Sequence, residues 1–193
     1  MSSSTEAGGR FLVLFVCTGN ICRSAMAEGF ARRELERRPG LPVAFASAGS
    51  HAMGGAPATM GAIEAAAERG AELTRHRARE LVKGLVRSAS LVLYMSAEHR
   101  RFVLGCDRTA AARAFPLAAF VRALEGMHAS SPAGLVAAAG ERVVVGSDDD
   151  VDDPLGQSRD EYRACAERLD GLVTRLVQAL AEASGAAVHR QPA

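Results

Sequence analysis

The chain has 193 residues, 48% of them hydrophobic and 23% charged, with a net charge of +1. That length fits one domain with one sizeable core, and the composition is that of a globular protein. The near-neutral charge argues against a polyanion-binding surface, so nucleic acid is not an expected partner.

Residues 1–10 are rich in Ser and Gly and read as a loose leader. The apolar run behind them is too short for a signal core, and no segment approaches the roughly 20 apolar residues of a membrane span. Residues 11–16, Phe-Leu-Val-Leu-Phe-Val, are predicted to form a fully buried strand. The pattern then turns helical over 24–38, where Met26 and Phe30, and Ala27, Ala31 and Leu35, fall one turn apart. Pro39-Gly40 ends this helix. On it Arg32-Arg33 and Arg37-Arg38 alternate with Glu28, Glu34 and Glu36, which reads as a solvated face.

Val43 to Ala48 is a second strand, closed by Gly49. Pro57 is predicted to open a helix that Gly70 stops. Residues 78–86 suggest a short helix, and Ser90 to Met95 a third buried strand. Ser96 is expected to cap a helix ending at Gly105. Arg113 to Leu117 is a short fourth strand limited by Pro116, and helical spacing returns from Leu117 to Leu124. Residues 126–147 show no single period: a helix, a hairpin and an insertion all remain open. Asp148 to Asp153 holds five aspartates and reads as a solvated acidic loop. A last helix is predicted from the capping box of Ser158 and Glu161 and from Tyr162, Cys165, Leu169, Leu172, Leu176 and Leu180 at steps of three and four. Residues 184–193 read as a tail.

Buried strands alternating with helices predict an α/β fold over 11–183: a single doubly wound domain, a four-stranded parallel sheet with helices on both faces. Right-handed crossovers then put the loop between the first strand and first helix at the carboxyl edge of the sheet, where ligands bind in such folds.

That loop is Cys17-Thr18-Gly19-Asn20-Ile21-Cys22-Arg23-Ser24. A cysteine six residues before an arginine carries little by spacing alone. Its context carries more, because a buried strand precedes it, a helix N-terminus follows it, and Gly19 and Asn20 tolerate unusual backbone angles. Successive inward N–H groups make an anion nest, and the helix adds its positive end. A nucleophilic thiol must ionise near neutral pH, whereas a free thiol titrates near ~8.5. A drop of ~3 units needs ~4 kcal/mol, and a helix N-terminus supplies at most ~2 kcal/mol. Loop amides, the Arg23 charge and the Ser24 hydroxyl must therefore supply the rest. Cys17, Cys22, Cys106 and Cys165 form no CxxC pair and no His stands at ligand spacing, so a zinc site is not expected.

The loop resembles the phosphate loop of the low-molecular-weight protein tyrosine phosphatases. Ser47-Ala48-Gly49 resembles that family's segment after the second strand, His76-Arg77-Ala78-Arg79 its His-x-Ala-Arg stretch, and Asp153-Pro154-Leu155-Gly156 its late Asp-Pro loop. The resemblance implies a phosphatase with Cys17 as nucleophile, Arg23 as the phosphate-binding fork and Asp153 as general acid, Asp152 being the fallback. It implies phosphate contacts from Thr18, Gly19, Asn20, Ile21, Cys22 and Ser24. With Arg23 and the loop amides to neutralise a phosphoryl charge, no metal or cofactor is expected to be required. It also implies a supporting hydrogen-bond network through Asn20, Ser24, Ser47 and His76. His51, His99, His128 and His189 receive no role. Cys22 is either a partner for a reversible disulfide with Cys17 or a packing residue, Cys165 belongs to the core, and Cys106 is unassigned.

For substrate, an apolar Ile21 resembles the tyrosine-directed members, while protein arginine phosphatases carry Thr there. Leu155-Gly156, in contrast, lacks the aromatic residues that many tyrosine-directed members place after Asp-Pro, and is closer to the arginine branch. Met53 stands where an aromatic wall residue is sometimes found, so Met53 and Leu155 are the pocket candidates. A phosphotyrosine-type monoester, on a protein or a small molecule, is the expected substrate; phosphoarginine and small-molecule phosphates are the alternatives. An arsenate reductase would need two further neighbouring cysteines and has only Cys106, and a pure binding module would need neither nucleophile nor acid. A reducing cytoplasmic setting suits a thiolate enzyme, and a monomer is the default.

Overall fold

The computed structural model describes residues 10–185. The leader expected over 1–10 and the tail expected over 184–193 therefore lie almost wholly outside the described residues. Four strands form one parallel sheet in the order β2-β1-β3-β4: β1 (Phe11–Cys17), β2 (Val43–Gly49), β3 (Leu91–Tyr94) and β4 (Ala114–Pro116). Strand β1 is central, with β2 on one side and β3 on the other, so the chain leaves β1 at the point where strand order reverses. The Cys17 loop sits in that crevice.

Alternate residues of β1 enter two cores. Val13, Phe15 and Cys17 pack with α1 (Arg23–Glu36), α2 (Met60–Ala67), α5 (Leu117–Ala123), α6 (Pro132–Arg142) and α7 (Arg159–Ala183). Leu14 and Val16 pack with α3 (Lys83–Ser88), α4 (His99–Cys106) and the 3-10 turn Arg108–Arg113. A strand buried on both faces needs a continuous apolar run, and that is what the sequence has there. The capping box at α7 forms as expected, with Ser158 Oγ accepting from Glu161 N and the Glu161 carboxylate accepting from Ser158 N.

Several expectations are corrected. Pro57 does not open α2; Thr59 caps it two residues later, its hydroxyl accepting from Ala62 N. The short helix expected at 78–86 begins at Lys83, because Glu80 is taken up by a parallel bridge to Gly49. Ser96 caps nothing; its hydroxyl and amide both turn to the ring of His99. Residues 126–147 contain α6, capped by Ser131 and opened by Pro132, with Leu135, Val136 and Ala139 buried in the larger core. That segment is part of the domain's packing.

The charged face of α1 is not solvated as a whole. Glu28 and Glu34 are buried. Glu34 pairs with Arg33, Arg37 and Arg38, and Arg33 and Arg69 both reach Asp170 on α7. Burial alone would raise the Asp170 and Glu34 carboxyls, but these guanidinium bonds outweigh it and hold both below the usual range.

Candidate active site

The site is built where β1 ends and α1 begins. Cys22 stands at the N-cap of α1 and offers no side-chain cap, so the first-turn amides are left for another acceptor. Asn20 is the single non-glycine residue with positive φ among those described, at 55°. Asn tolerates this left-handed conformation because its short amide can bond locally. The turn points the Asn20 amide back at Cys17 Sγ, 3.3 Å away. Ser24 Oγ lies 2.9 Å from the same sulfur.

The Asn20 side chain holds this turn in place. Its Nδ2 donates to Ser24 Oγ at 2.9 Å and to Ser47 Oγ at 2.8 Å, and its Oδ1 accepts from Arg79 N at 2.9 Å. Ser24 Oγ, an acceptor from Asn20, still has its own proton available for the Cys17 sulfur. His76 Nε2 donates to the Asn20 carbonyl oxygen at 2.7 Å. The four residues of the expected network, Asn20, Ser24, Ser47 and His76, are thus all brought together. Two further members join them: Glu28, which no motif announced, and Arg79, the arginine of the His-x-Ala-Arg stretch. Glu28 accepts from Ser47 Oγ, and Arg79 Nε donates to the Ser47 carbonyl at 2.6 Å. Gly49 allows the close approach of β2: a Cβ there would run into the Thr18 carbonyl oxygen and Asn20 N.

Arg23 is buried, and its guanidinium joins three segments. Nη1 donates to the Val151 carbonyl at 3.2 Å, and Nη2 reaches Thr18 Oγ1 at 3.4 Å and pairs with Asp153. Its Nε is also buried and has no acceptor among the described residues, a donor that an oxyanion would satisfy. Asp153 comes to this position on the loop before α7, which is tied to the segment just after β3 through Val151 N to the Met95 carbonyl (2.7 Å) and Ala97 N to Asp150 Oδ1 (2.8 Å). The acidic loop is therefore not uniformly solvated. Asp149 is buried, bonded by Arg122 and Gly146 N, and Arg122 first among these holds its carboxyl below the usual range. Asp152, the fallback acid, is exposed, and among the described residues its carboxylate has no hydrogen bond.

Cys22 Sγ lies 3.3 Å from Thr59 Oγ1 and 3.7 Å from the Tyr162 hydroxyl. Burial pushes its thiol up despite those two bonds. Cys165 is in the core as expected and is pushed up to about 12 by burial. Cys106 lies on α4, against the smaller core. Ile21 is half-buried against the larger core beside the loop. Of the pocket candidates, Met53 is 79% exposed on the loop after β2 and Leu155 is 52% exposed. The Leu155 amide donates to Asp153 Oδ1 at 3.3 Å.

Sequence reasoning missed His99. Its ring is fully buried, with Nε2 3.0 Å from Thr18 Oγ1 and Nδ1 within 3.1 Å of Ser96 N. Burial, then the Arg23 charge, push it below the usual histidine range. The available signal was Ser96 one helical turn before His99, a spacing that reads more simply as a cap.

Residues 12–136 match the family model described as low molecular weight phosphotyrosine protein phosphatase. The chain is 43% identical over 89 residues to a probable low molecular weight protein-tyrosine-phosphatase, EpsP, of Ralstonia solanacearum, taking in 46% of this chain and 58% of that protein's length. It is 33% identical over 168 residues to a protein-arginine-phosphatase of Bacillus subtilis, covering 87% of this chain and 95% of that one. Among solved structures, the tyrosine phosphatase AmsI of Erwinia amylovora superposes with a TM-score of 0.69 at 26% identity, over 88% of this chain and 93% of that one.

Proposed function

The chain belongs to the low-molecular-weight phosphotyrosine protein phosphatase family, and from that premise we propose that it hydrolyses phosphate monoesters through a phosphocysteine on Cys17. The observation that carries this reading is the pairing of a sulfur that receives the Asn20 N–H and lies 2.9 Å from the Ser24 hydroxyl with a buried Arg23 whose Nε still needs an acceptor. In the first step the Cys17 sulfur attacks phosphorus and the bond to the leaving oxygen breaks. Asp153, in its protonated form, gives its proton to that oxygen. In the second step water attacks phosphorus, the P–S bond breaks and Asp153 takes the water's proton. Arg23 exchanges its pairing with Asp153 for two phosphoryl oxygens, a match to its planar fork that Lys lacks. The loop amides and the uncapped first turn of α1 stabilise the same oxygens as charge spreads in a loose transition state.

For the substrate we favour an aryl phosphate of the phosphotyrosine type, on the strength of apolar Ile21 beside the nucleophile. A specific observation favours the arginine-directed reading too: Leu155 follows Asp153-Pro154 where an aromatic wall would suit a phenyl ring. A phosphate-release assay with phosphotyrosine and phosphoarginine peptides, on wild type and Ile21→Thr, decides between them. Phosphotyrosine is expected to be the better wild-type substrate, with Ile21→Thr moving the ratio toward phosphoarginine. A wild type that prefers phosphoarginine overturns the choice. A thiolate nucleophile works in a reducing compartment, and we assign the protein to the cytoplasm. Among the described residues no helix is long and apolar enough to cross a membrane.

A further inference from the structure

His99 and Thr18 stand in a relationship that the nucleophile, the guanidinium and the acid do not account for. The Ser96 amide lies 3.1 Å from His99 Nδ1, and a backbone N–H can only donate. Nδ1 is therefore an acceptor, and the neutral ring carries its proton on Nε2. The Ser96 hydroxyl, 2.8 Å from Nδ1, can donate to it as well and is compatible with that assignment. Nε2–H then points at Thr18 Oγ1, 3.0 Å away. Arg23 Nη2 approaches that oxygen from a second direction at 3.4 Å, also as a donor. With both lone pairs of Thr18 Oγ1 engaged, its proton can serve only as a donor, and among the described residues no acceptor takes it.

Resting on the phosphatase reading above, we propose that His99 is a positioning residue: by donating to Thr18 Oγ1 it turns the Thr18 hydroxyl into a dedicated hydrogen-bond donor to the phosphoryl group held over Cys17. The placement suits the task. Thr18 follows the nucleophile directly, is half-buried, and shares Arg23 Nη2 with Asp153, so its hydroxyl lies on the acid's side of the cradle. The ring is fully buried and gains no water as a competing partner. A second cation beside Arg23 would repel it, which agrees with His99 being held neutral by burial and by the Arg23 charge. Glu98 Oε1, on a mostly exposed side chain, lies 3.6 Å from Nε2, beyond hydrogen-bond distance, so Thr18 Oγ1 is the hydrogen-bond partner of Nε2–H.

The test is a set of variants assayed with p-nitrophenyl phosphate for kcat and KM. Wild-type turnover that Cys17→Ser abolishes secures the underlying reading; no Cys17-dependent turnover sinks that reading and this proposal with it. Given that turnover, Thr18→Val and His99→Leu should each lower kcat/KM roughly tenfold or more, the usual cost of a lost bond to a charged group. Thr18→Ser, which keeps the hydroxyl, should recover most of the loss seen in Thr18→Val, and His99→Gln, which keeps a side-chain N–H, should recover part of the loss seen in His99→Leu. The deciding measurement is the double variant. If His99 acts through Thr18, His99→Leu in the Thr18→Val background costs no more than Thr18→Val alone. A full additional loss there, or a Thr18→Val enzyme equal to wild type, overturns the proposal while leaving the phosphatase reading intact. Should His99→Leu fail to fold, the nitrogen-15 shifts of the wild-type ring still decide: a proton on Nδ1 overturns the assignment.

Discussion

The Val151 carbonyl oxygen accepts a hydrogen bond from Arg23 Nη1 at 3.2 Å, so the loop that carries Asp153 is fastened to the loop that carries Cys17 by the residue that would grip phosphate. Under the proposed reading Arg23 serves both as the phosphate-binding arm and as a strut between the two loops.

Arg23→Lys is expected to fail in both respects. An ammonium presents no fork, and it cannot reach Val151, Thr18 and Asp153 together. The kcat for p-nitrophenyl phosphate should fall roughly 10²–10³-fold, the size of a lost transition-state donor. A loss of only a few fold would remove Arg23 from the mechanism.

Asp153→Asn separates protonation from binding. Turnover of a poor leaving group such as an alkyl phosphate should fall roughly 10²–10⁴-fold, with a much smaller loss for p-nitrophenyl phosphate, whose oxygen leaves without a proton. Asp152→Asn should change neither rate. Equal losses for both leaving groups would point away from acid catalysis by Asp153.

Asn20 combines a left-handed backbone with three side-chain bonds. Asn20→Ala should cost about 1–2 kcal/mol for the backbone, plus about 1–3 kcal/mol for the partners left unsatisfied. Asn20→Gly loses only the second part, so urea unfolding should find the Gly variant more stable than the Ala variant. Equal stabilities would mean that the turn carries no backbone strain.

Asp149 gives an acid-stability prediction. Its carboxyl is held low by Arg122 and by Gly146 N. A depressed folded-state pKa means the unfolded chain binds the proton more readily, so this contribution is present above the ordinary carboxylate range. It is lost as pH falls through the folded-state value. Arg122→Gln should therefore lower stability near pH 7, with the difference from wild type shrinking as pH falls through the folded-state value, and should move the acid-unfolding midpoint to higher pH. An unchanged midpoint followed by circular dichroism would show that Asp149 gains nothing from Arg122.

Cys22 and Cys17 should differ in labelling. The Cys22 thiol is pushed up by burial and stays protonated at neutral pH. Iodoacetate at pH 7, followed by peptide mapping, should mark Cys17 and leave Cys22 unmarked. Labelling of Cys22 first would contradict the assignment of Cys17 as the nucleophile.

The legibility of this protein varied with how local each feature is. The Phe11–Val16 run, the capping box at Ser158 and Glu161 and the stripe of α7 were readable, because a strand's burial and a helix's face are written in consecutive residues. Ser47 and His76 were named only because their motifs resemble a family's; spacing alone gave no reason to join them to Asn20. Glu28 looked like one of several charges on a solvated helix, and its burial beneath Ser47 depends on β2 packing over that turn. Residues 126–147 defeated the periodic reading because α6 is short, Ala-rich and apolar on only part of its surface.

The amino-acid order by itself determined the alternation of strand and helix, the reactive loop between the first two elements and the type of chemistry its residues support, since each follows from side-chain period and residue type over a few positions. Tertiary packing alone decided that Asp153 meets Arg23 across 130 positions, that Asp149 is a buried anchor, and that His99 faces Thr18. Those pairings depend on which loops the parallel sheet gathers at one edge, and the distances between them are set by crossovers that no local pattern encodes.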